Sequence, residues 1–411
     1  MSAPVLTPAL AVRVFAPFAL GYFLSYLGRV VNAVLAPHLI ADLGLNAADL
    51  GFLTSVYFLV FGAFQLPLGM LLDRFGPRRA NAALLLVAAL GAFLFGAADS
   101  MAGVTVGRAL IGLGVSACLM AAFTSYRQWF PKERLALVNG LQMAAGGLGA
   151  LAGTSPIEML LHFTDWRGVF ALYGAAIVAA AAIVLFVTPR RASPGAGSSF
   201  ADQARGSMTV LRDPLFWRIA GANTPVQGTF IALQSLWVGP WLRDAAGLRG
   251  GDVADWLFLV AGGMVVGYLS MGAIADWLTR RGVRLPTIGV VSMLASFAVQ
   301  AGIILLPPAT AVPLWVLFSF FGSSNVLWYS ALNQSFPPEL AGRVSTALNM
   351  FIFFGIFACQ WGVGLIVNLW PQGADGGYSA DAYQAAFATM LAIQIAGFAW
   401  FVFMRKAKFR L

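Results

Sequence analysis

Runs of about twenty apolar residues, divided by short polar breaks, recur along the whole chain. An α-helix rises 1.5 Å per residue, so about 20 apolar residues cross the ~30 Å hydrocarbon core of a bilayer. The pattern predicts twelve such helices, near residues 12–39, 49–72, 80–98, 103–127, 136–161, 168–188, 215–239, 253–276, 285–306, 312–334, 343–369 and 383–404. The expected fold class is an all-α membrane protein.

The longest polar stretch runs from Thr188 to Pro214 and holds a Ser/Gly/Pro/Ala segment from Ala192 to Ser199. That composition reads as a flexible linker. It divides the chain into an N-terminal six-helix bundle (1–189), a linker (190–214) and a C-terminal six-helix bundle (215–411). The halves repeat. Gly69-Met-Leu-Leu-Asp73-Arg74 follows the second span, and Gly272-Ala-Ile-Ala-Asp276-Trp follows the eighth. Phe130-Pro-Lys-Glu133 follows the fourth and Phe336-Pro-Pro-Glu339 the tenth. Asp276 stands 203 residues after Asp73 and Phe336 stands 206 after Phe130, which argues for internal duplication. Two parallel repeats around a midplane cavity are a transporter architecture.

Composition removes the soluble alternatives. The chain is 60% hydrophobic and 10% charged, against about 25% charged for ordinary soluble domains. Mean hydropathy is +0.81. A soluble enzyme has nowhere to hide that surface, so no enzyme is expected. The net charge of +9 would suggest nucleic acid in a soluble chain, but its placement does not. All lysines and arginines except Arg29, Arg108, Arg167, Arg243 and Arg249 fall at one side of the predicted topology. That side is cytoplasmic by the positive-inside rule, and both termini lie on it. A multi-pass protein of the cell inner (plasma) membrane is expected, with no nucleic-acid partner. The first apolar run is too long for a signal peptide and reads as a retained helix. The two cysteines, Cys118 and Cys359, suggest neither a disulfide nor a metal site, and no cofactor is implied. No Gly-x-x-x-x-Gly-Lys-Ser/Thr loop supports ATP-driven transport.

Charge within the spans then carries the chemistry. Arg29 sits near the middle of the first span. A cation there costs from about 2.5 to over 10 kcal/mol, so it normally faces a water-filled cavity or a partner charge. Its planar fork suits a carboxylate or phosphate. The alternative is a structural arginine holding helix ends together. Arg108, early in the fourth span, is a second anion ligand or a tie to backbone carbonyls. Glu158 and His162 lie one turn apart at the outer end of the fifth span, either as a proton relay or as a boundary pair. Gln227 and Gln234 share a face of the seventh span, and Gln234 falls beside the position that repeats Arg29. Asn325, Trp328, Tyr329 and Asn333 cluster at helical spacing in the tenth. These, with Tyr26, are candidate cavity residues, although amides also form interhelical hydrogen bonds of about 1 kcal/mol. Tyr22, Tyr57, Gln142, Asn349 and Gln360 are weaker candidates. The glycine runs at Gly146–Gly149 and Gly262–Gly263 predict close helix contact.

Over nearly its whole length the chain resembles the major facilitator superfamily. The resemblance rests on Gly69-x-x-x-Asp73-Arg74-x-Gly76-x-Arg78-Arg79 between spans two and three, its degenerate copy from Gly272 to Gly282, and Gly107-Arg108-x-x-x-Gly112-x-Gly114 in span four. It implies twelve helices in two pseudosymmetric six-helix bundles. It also implies a gate in which Asp73, Arg74, Arg78 and Arg79 hold one conformation closed, with Asp276, Arg280 and Arg281 as the weaker counterpart. Tyr26-Leu-Gly-Arg29-Val-Val-Asn32 and Trp129-Phe-Pro-x-Glu133-Arg134 resemble the superfamily's anion:cation symporters and organophosphate antiporters. Two presumed proton carriers of sugar-acid symporters are replaced here by Gly28 and Val115. Thr154 replaces the proline of the drug antiporters' motif. The arginines that nitrate porters carry in spans two and eight are missing. The resemblance thus implies alternating-access transport of a small organic anion, a carboxylate or phosphate compound, by a protein expected to be monomeric in the lipid bilayer. A coupling proton is a candidate partner. The alternative is an exporter of a hydrophobic compound or drug.

Overall fold

The computed structural model describes residues 7–190, 208–337, 340–373 and 376–404. Among them, every regular element is helical. Eight helices are long and apolar enough to cross a membrane unaided. Four further passes are assembled from interrupted pieces, which gives the twelve expected. The second is Ala47–Ala63 continued into Gln65–Ala97, which also forms the third beyond a kink at Gly76. The fifth joins Lys132–Ala152 to Ser155–Leu161. The seventh runs Pro214–Ala232, a π-helical turn Leu233–Trp237, and Val238–Asp244. The tenth runs Pro308–Ala311, Leu314–Gly322 and Asn325–Gln334. The first pass is Pro8–Leu43, the fourth Met101–Val115 with Cys118–Trp129, and the sixth Trp166–Val187. The eighth is Gly251–Arg280, the ninth Leu285–Leu305, the eleventh Ala341–Val367 and the twelfth Ala380–Phe403. Most of the predicted linker, residues 191–207, lies outside the described residues.

The ends of the passes follow local chemistry. Asn46 and Asp49 form a reciprocal capping box that starts the second pass, with Asp49 N–H donating to Asn46 Oδ1 at 2.9 Å. Ser100, Asp165 and Asp213 cap the fourth, sixth and seventh, each side chain accepting from one first-turn N–H. Gly76 takes φ 75° and turns the second pass into the third, and Gly282 takes φ 87° at the corresponding turn of the second half. Only glycine adopts these angles without strain.

Glycine and small residues set the helix spacing. A Cβ on Gly149 would collide with the Phe23 carbonyl, which brings the fifth pass onto the first. Gly262, by contrast, faces open space, so only Gly263 of that run makes the predicted close contact.

The first pass begins, and the twelfth ends, at what we term the terminal face. The halves meet towards the opposite, far face. There Gly364 of the eleventh pass lies against the Ala47 carbonyl, Gly239 of the seventh against the Ala33 carbonyl, and Ser155 Oγ 3.1 Å from Asp255 Oδ1. Asp244 accepts from Tyr383 Oη–H at 2.5 Å and from Tyr378 N–H at 3.1 Å. Tyr378 Oη in turn accepts from Ala47 N–H at 3.1 Å. That N–H is one of the four first-turn donors a helix cannot satisfy itself, so the second half caps a helix of the first. Nearer the midplane, Phe61 of the second pass stacks on Phe353 of the eleventh, with ring centroids 4.2 Å apart.

Candidate functional site

Arg29 lies 14 residues before the end of the first pass, so its Cα is about 20 Å from the far end of that helix. The side chain is 9% exposed. Its Nε donates to Tyr57 Oη at 3.4 Å. Tyr57 Oη lies 3.3 Å from the Ser25 carbonyl and 3.4 Å from Ser25 Oγ, so the hydroxyl is anchored on the first pass. Three rings surround the guanidinium, with Tyr26 at 4.4 Å, Phe61 at 5.0 Å and Phe353 at 5.6 Å to their centroids. Among the described residues, Arg29 forms no ion pair and neither Nη1 nor Nη2 forms a hydrogen bond. Aromatic faces offset about 0.5–2 kcal/mol of a buried cation, less than its burial costs. The arrangement therefore leaves one fork of a charged donor available to an anion.

Arg108 is placed differently. It is fully buried, its Nη1 donates to the Gly28 carbonyl at 2.7 Å, and its guanidinium lies 4.9 Å over the Tyr57 ring. Nε and Nη2 are closed off with no partner among the described residues. Tyr57 thus separates the two arginines, with its hydroxyl towards Arg29 and its ring face towards Arg108.

The second half contributes amides and phenols. The first and seventh passes run parallel, with Gly239 level with Ala33. Arg29 precedes Ala33 by four residues and Gln234 precedes Gly239 by five, so the two sit at one depth. Gln234 lies within the π-helical turn and is 5% exposed. Such turns recur at functional sites, and nothing in the chain's hydropathy signals this one. Gln227, two turns towards the terminal face, keeps Oε1 buried without a partner among the described residues. So does Asn325 at its Oδ1, just beyond the break in the tenth pass. Tyr329 Oη donates to Asn349 Oδ1 at 2.7 Å. Tyr22 and Tyr26 meet edge to face at 5.1 Å, and Tyr268 of the eighth pass lies near the Tyr26 phenol.

Other expected residues fall elsewhere. Trp328 turns its indole onto Gly289 and Phe401, towards the ninth and twelfth passes. The Asn333 side chain lies outside the described residues. Gln142 binds Tyr126 Oη and the Phe18 carbonyl inside the first half. Gln360 has a fully buried side chain with no partner among the described residues, and its carbonyl accepts from the Trp237 indole at 3.0 Å. Glu158 is half-buried in the short helix Ser155–Leu161, beyond the Thr154 break and towards the far face, and His162 is exposed. Neither forms an ion pair among the described residues. Asp73, Arg74 and Arg79 are exposed at the turn around Gly76, and Arg78 Nη1 donates to the Leu185 carbonyl at 2.5 Å. Asp276, Arg280 and Arg281 are exposed at the equivalent end of the eighth pass, with Arg281 3.8 Å over the Trp277 ring. Phe61, Phe353 and Tyr268 are the residues that sequence reasoning missed. A mid-span tyrosine is a signal that could have found Tyr268, whereas a phenylalanine in an apolar run looks the same whether it faces lipid or a cavity.

Comparison with known proteins agrees with this architecture. A bacterial homolog of the human lysosomal transporter Spinster, solved in an inward-facing and unoccupied conformation, superposes with TM-score 0.80 over 98% of each chain at 17% identity. A probable sulfoacetate transporter of Cupriavidus necator is 27% identical over 38% of this chain and 36% of its own length. A probable L-galactonate transporter of Escherichia coli is 27% identical over 63% of this chain. The chain spans 60% of that relative's length. A family model described as Major Facilitator Superfamily matches residues 18–360. With twelve helical passes among the described residues, the chain belongs to that superfamily and is a multi-pass membrane protein.

Proposed function

We propose that the protein carries a small organic anion across the cell inner membrane by alternating access, with Arg29 holding the anionic group. The observation that carries this reading is the state of Arg29: a midplane guanidinium bonded only through Nε, with no acidic partner among the described residues. An anion completes its fork and offsets its charge where the local dielectric is low. The rings beside it belong to both halves, Phe61 to one and Phe353 to the other, so a ligand there can act on the gap between them.

Charge count narrows the substrate. Among the described residues, Arg29 and Arg108 are the two buried cations within the spans, and Arg108 already serves the Gly28 carbonyl. One available guanidinium favours a monovalent carboxylate over a phosphate monoester or dicarboxylate, whose second charge would be desolvated unpaired. Gln234, Gln227, Asn325, Tyr329 and Tyr26 would orient the uncharged remainder. Relatives are named for sulfoacetate, a dianion, and L-galactonate, a monocarboxylate, so the names support the organic-anion class and only the second matches the single charge.

With the termini in the cytoplasm, the contacts between the halves close the periplasmic side and the site opens inward. No carboxylate stands beside Arg29 among the described residues, and Glu158 lies apart from it. This favours facilitated diffusion, anion exchange, or a proton carried by the substrate itself.

The test is thermal unfolding of the purified protein and of Arg29→Gln against a panel of small anions, with hydrophobic cations as controls. A ligand that binds only the folded state raises the melting temperature by mass action. Stabilisation by a carboxylate in the wild type and its loss in Arg29→Gln is the expected result. A response to hydrophobic cations alone would sink the anion reading and favour a drug exporter.

A further inference from the structure

A cleft of about 330 Å³ opens at the terminal face, away from Arg29, between the turn joining passes two and three and the ends of passes four and six. Four arginines line it, Arg74, Arg78, Arg79 and Arg190, and none of its lining residues among those described is acidic. Like charges gathered in one cleft repel one another unless an anion lies among them. Two of the four are braced: Arg78 by the Leu185 carbonyl and Arg74 by the Phe75 ring at 5.4 Å. The third pass also begins here, just beyond Gly76, and its first three residues, Pro77, Arg78 and Arg79, line the cleft.

An independent observation points to a ligand. Thr188 lines the cleft and is 3% exposed, yet its hydroxyl has no hydrogen-bond partner among the described residues. A buried hydroxyl left unpaired costs about 1–3 kcal/mol, so a polar guest in the cleft is the natural partner. The rim is apolar. Phe75 is 49% exposed and Phe186, two residues before Thr188, is 79% exposed. Cations inside and aromatic rings on the membrane side match an amphiphile, with an anionic head and acyl chains lying against the protein.

We propose that this cleft binds the phosphate headgroup of an anionic membrane lipid. Arg79 and Arg190 contact the phosphate, the Thr188 hydroxyl donates to it, and the acyl chains run past Phe75 and Phe186. The arginines expected to serve as a gate thereby gain a ligand in the state described here.

The experiment titrates the purified full chain in neutral detergent with short-chain phosphatidylglycerol, phosphatidylcholine or inorganic phosphate. The readouts are melting temperature and lipid adducts in native mass spectrometry. Saturable binding of phosphatidylglycerol at least tenfold tighter than phosphatidylcholine is expected. It should weaken at least tenfold in Arg79→Gln/Arg190→Gln and at least threefold in Thr188→Val. Thr188→Val is nearly isosteric and tests the site even where the double variant fails to fold. Arg29→Gln should bind the lipid normally, which separates this inference from the transport reading. Equal lipid binding by wild type and Thr188→Val would overturn the proposal. So would inorganic phosphate binding as tightly as the lipid, which would make the ligand a soluble phosphate.

Discussion

Arg29 and Phe353 belong to opposite halves of the chain, yet the guanidinium carbon of one lies 5.6 Å from the ring centroid of the other. Phe353 also stacks on Phe61 at 4.2 Å, so the cation sits at the aromatic seam where the halves join. Opening the seam exposes Arg29 to the far face, and closing it needs the rings to pack beside a charge.

The seam should govern movement more than binding. Phe353→Ala removes the stack and the nearest ring from the second half. We expect at least a tenfold slower exchange in proteoliposomes, with ligand affinity within about threefold of wild type. Loss of affinity in proportion to rate would instead make Phe353 a wall of the substrate pocket.

Tyr57 and Arg108 should separate under mutation. Tyr57→Phe leaves Arg29 Nε and the Ser25 carbonyl without their partner, at a cost of about 1 kcal/mol, or roughly fivefold in substrate affinity. The ring beneath Arg108 survives, so stability should hardly change. Arg108→Gln frees the Gly28 carbonyl and should lower the melting temperature by several degrees while the order of preferred anions stays the same. A variant of unchanged stability that no longer binds anions would make Arg108 a substrate ligand.

Competition for uptake should follow charge. A monocarboxylate should compete at least tenfold better than a dicarboxylate of similar length, because one guanidinium is available and the second charge would be buried unpaired. A dicarboxylate that competes better would show a second cation at work.

Crowding the far face should reverse the resting conformation. Gly364 lies against the Ala47 carbonyl, where a side chain cannot fit. Gly364→Val should therefore lengthen the distance between spin labels at Ala41 and Gln372, read by electron double resonance. An unchanged distance would mean that this contact does not limit opening.

Legibility differed by element. Seven of the eight long apolar helices lie within about four residues of their predicted bounds, because bilayer thickness sets their length, whereas Pro67–Ala97 begins well before the predicted residue 80 since the chain stays helical on both sides of the Gly76 kink. The π-helical turn at Leu233–Trp237 and the break before Ser155 left no trace in hydropathy, since main-chain hydrogen bonding changes there while side-chain polarity does not. Seven-residue spacing puts Gln227 and Gln234 on one face of a regular helix, and the π turn at Leu233–Trp237 alters that register.

By itself the sequence determined the solvent of this protein, its twelve passes, its duplication and the presence of a midspan cation. Each follows from polarity counted along the chain. Which way a side chain points was decided by tertiary structure alone. Lipid and helix neighbours are equally apolar, so polarity could not tell that Trp328 turns to Phe401 while Phe353, more than 300 residues from Arg29, reaches that cation. Packing of one half on the other made those choices, and with them the division of labour between Arg29 and Arg108.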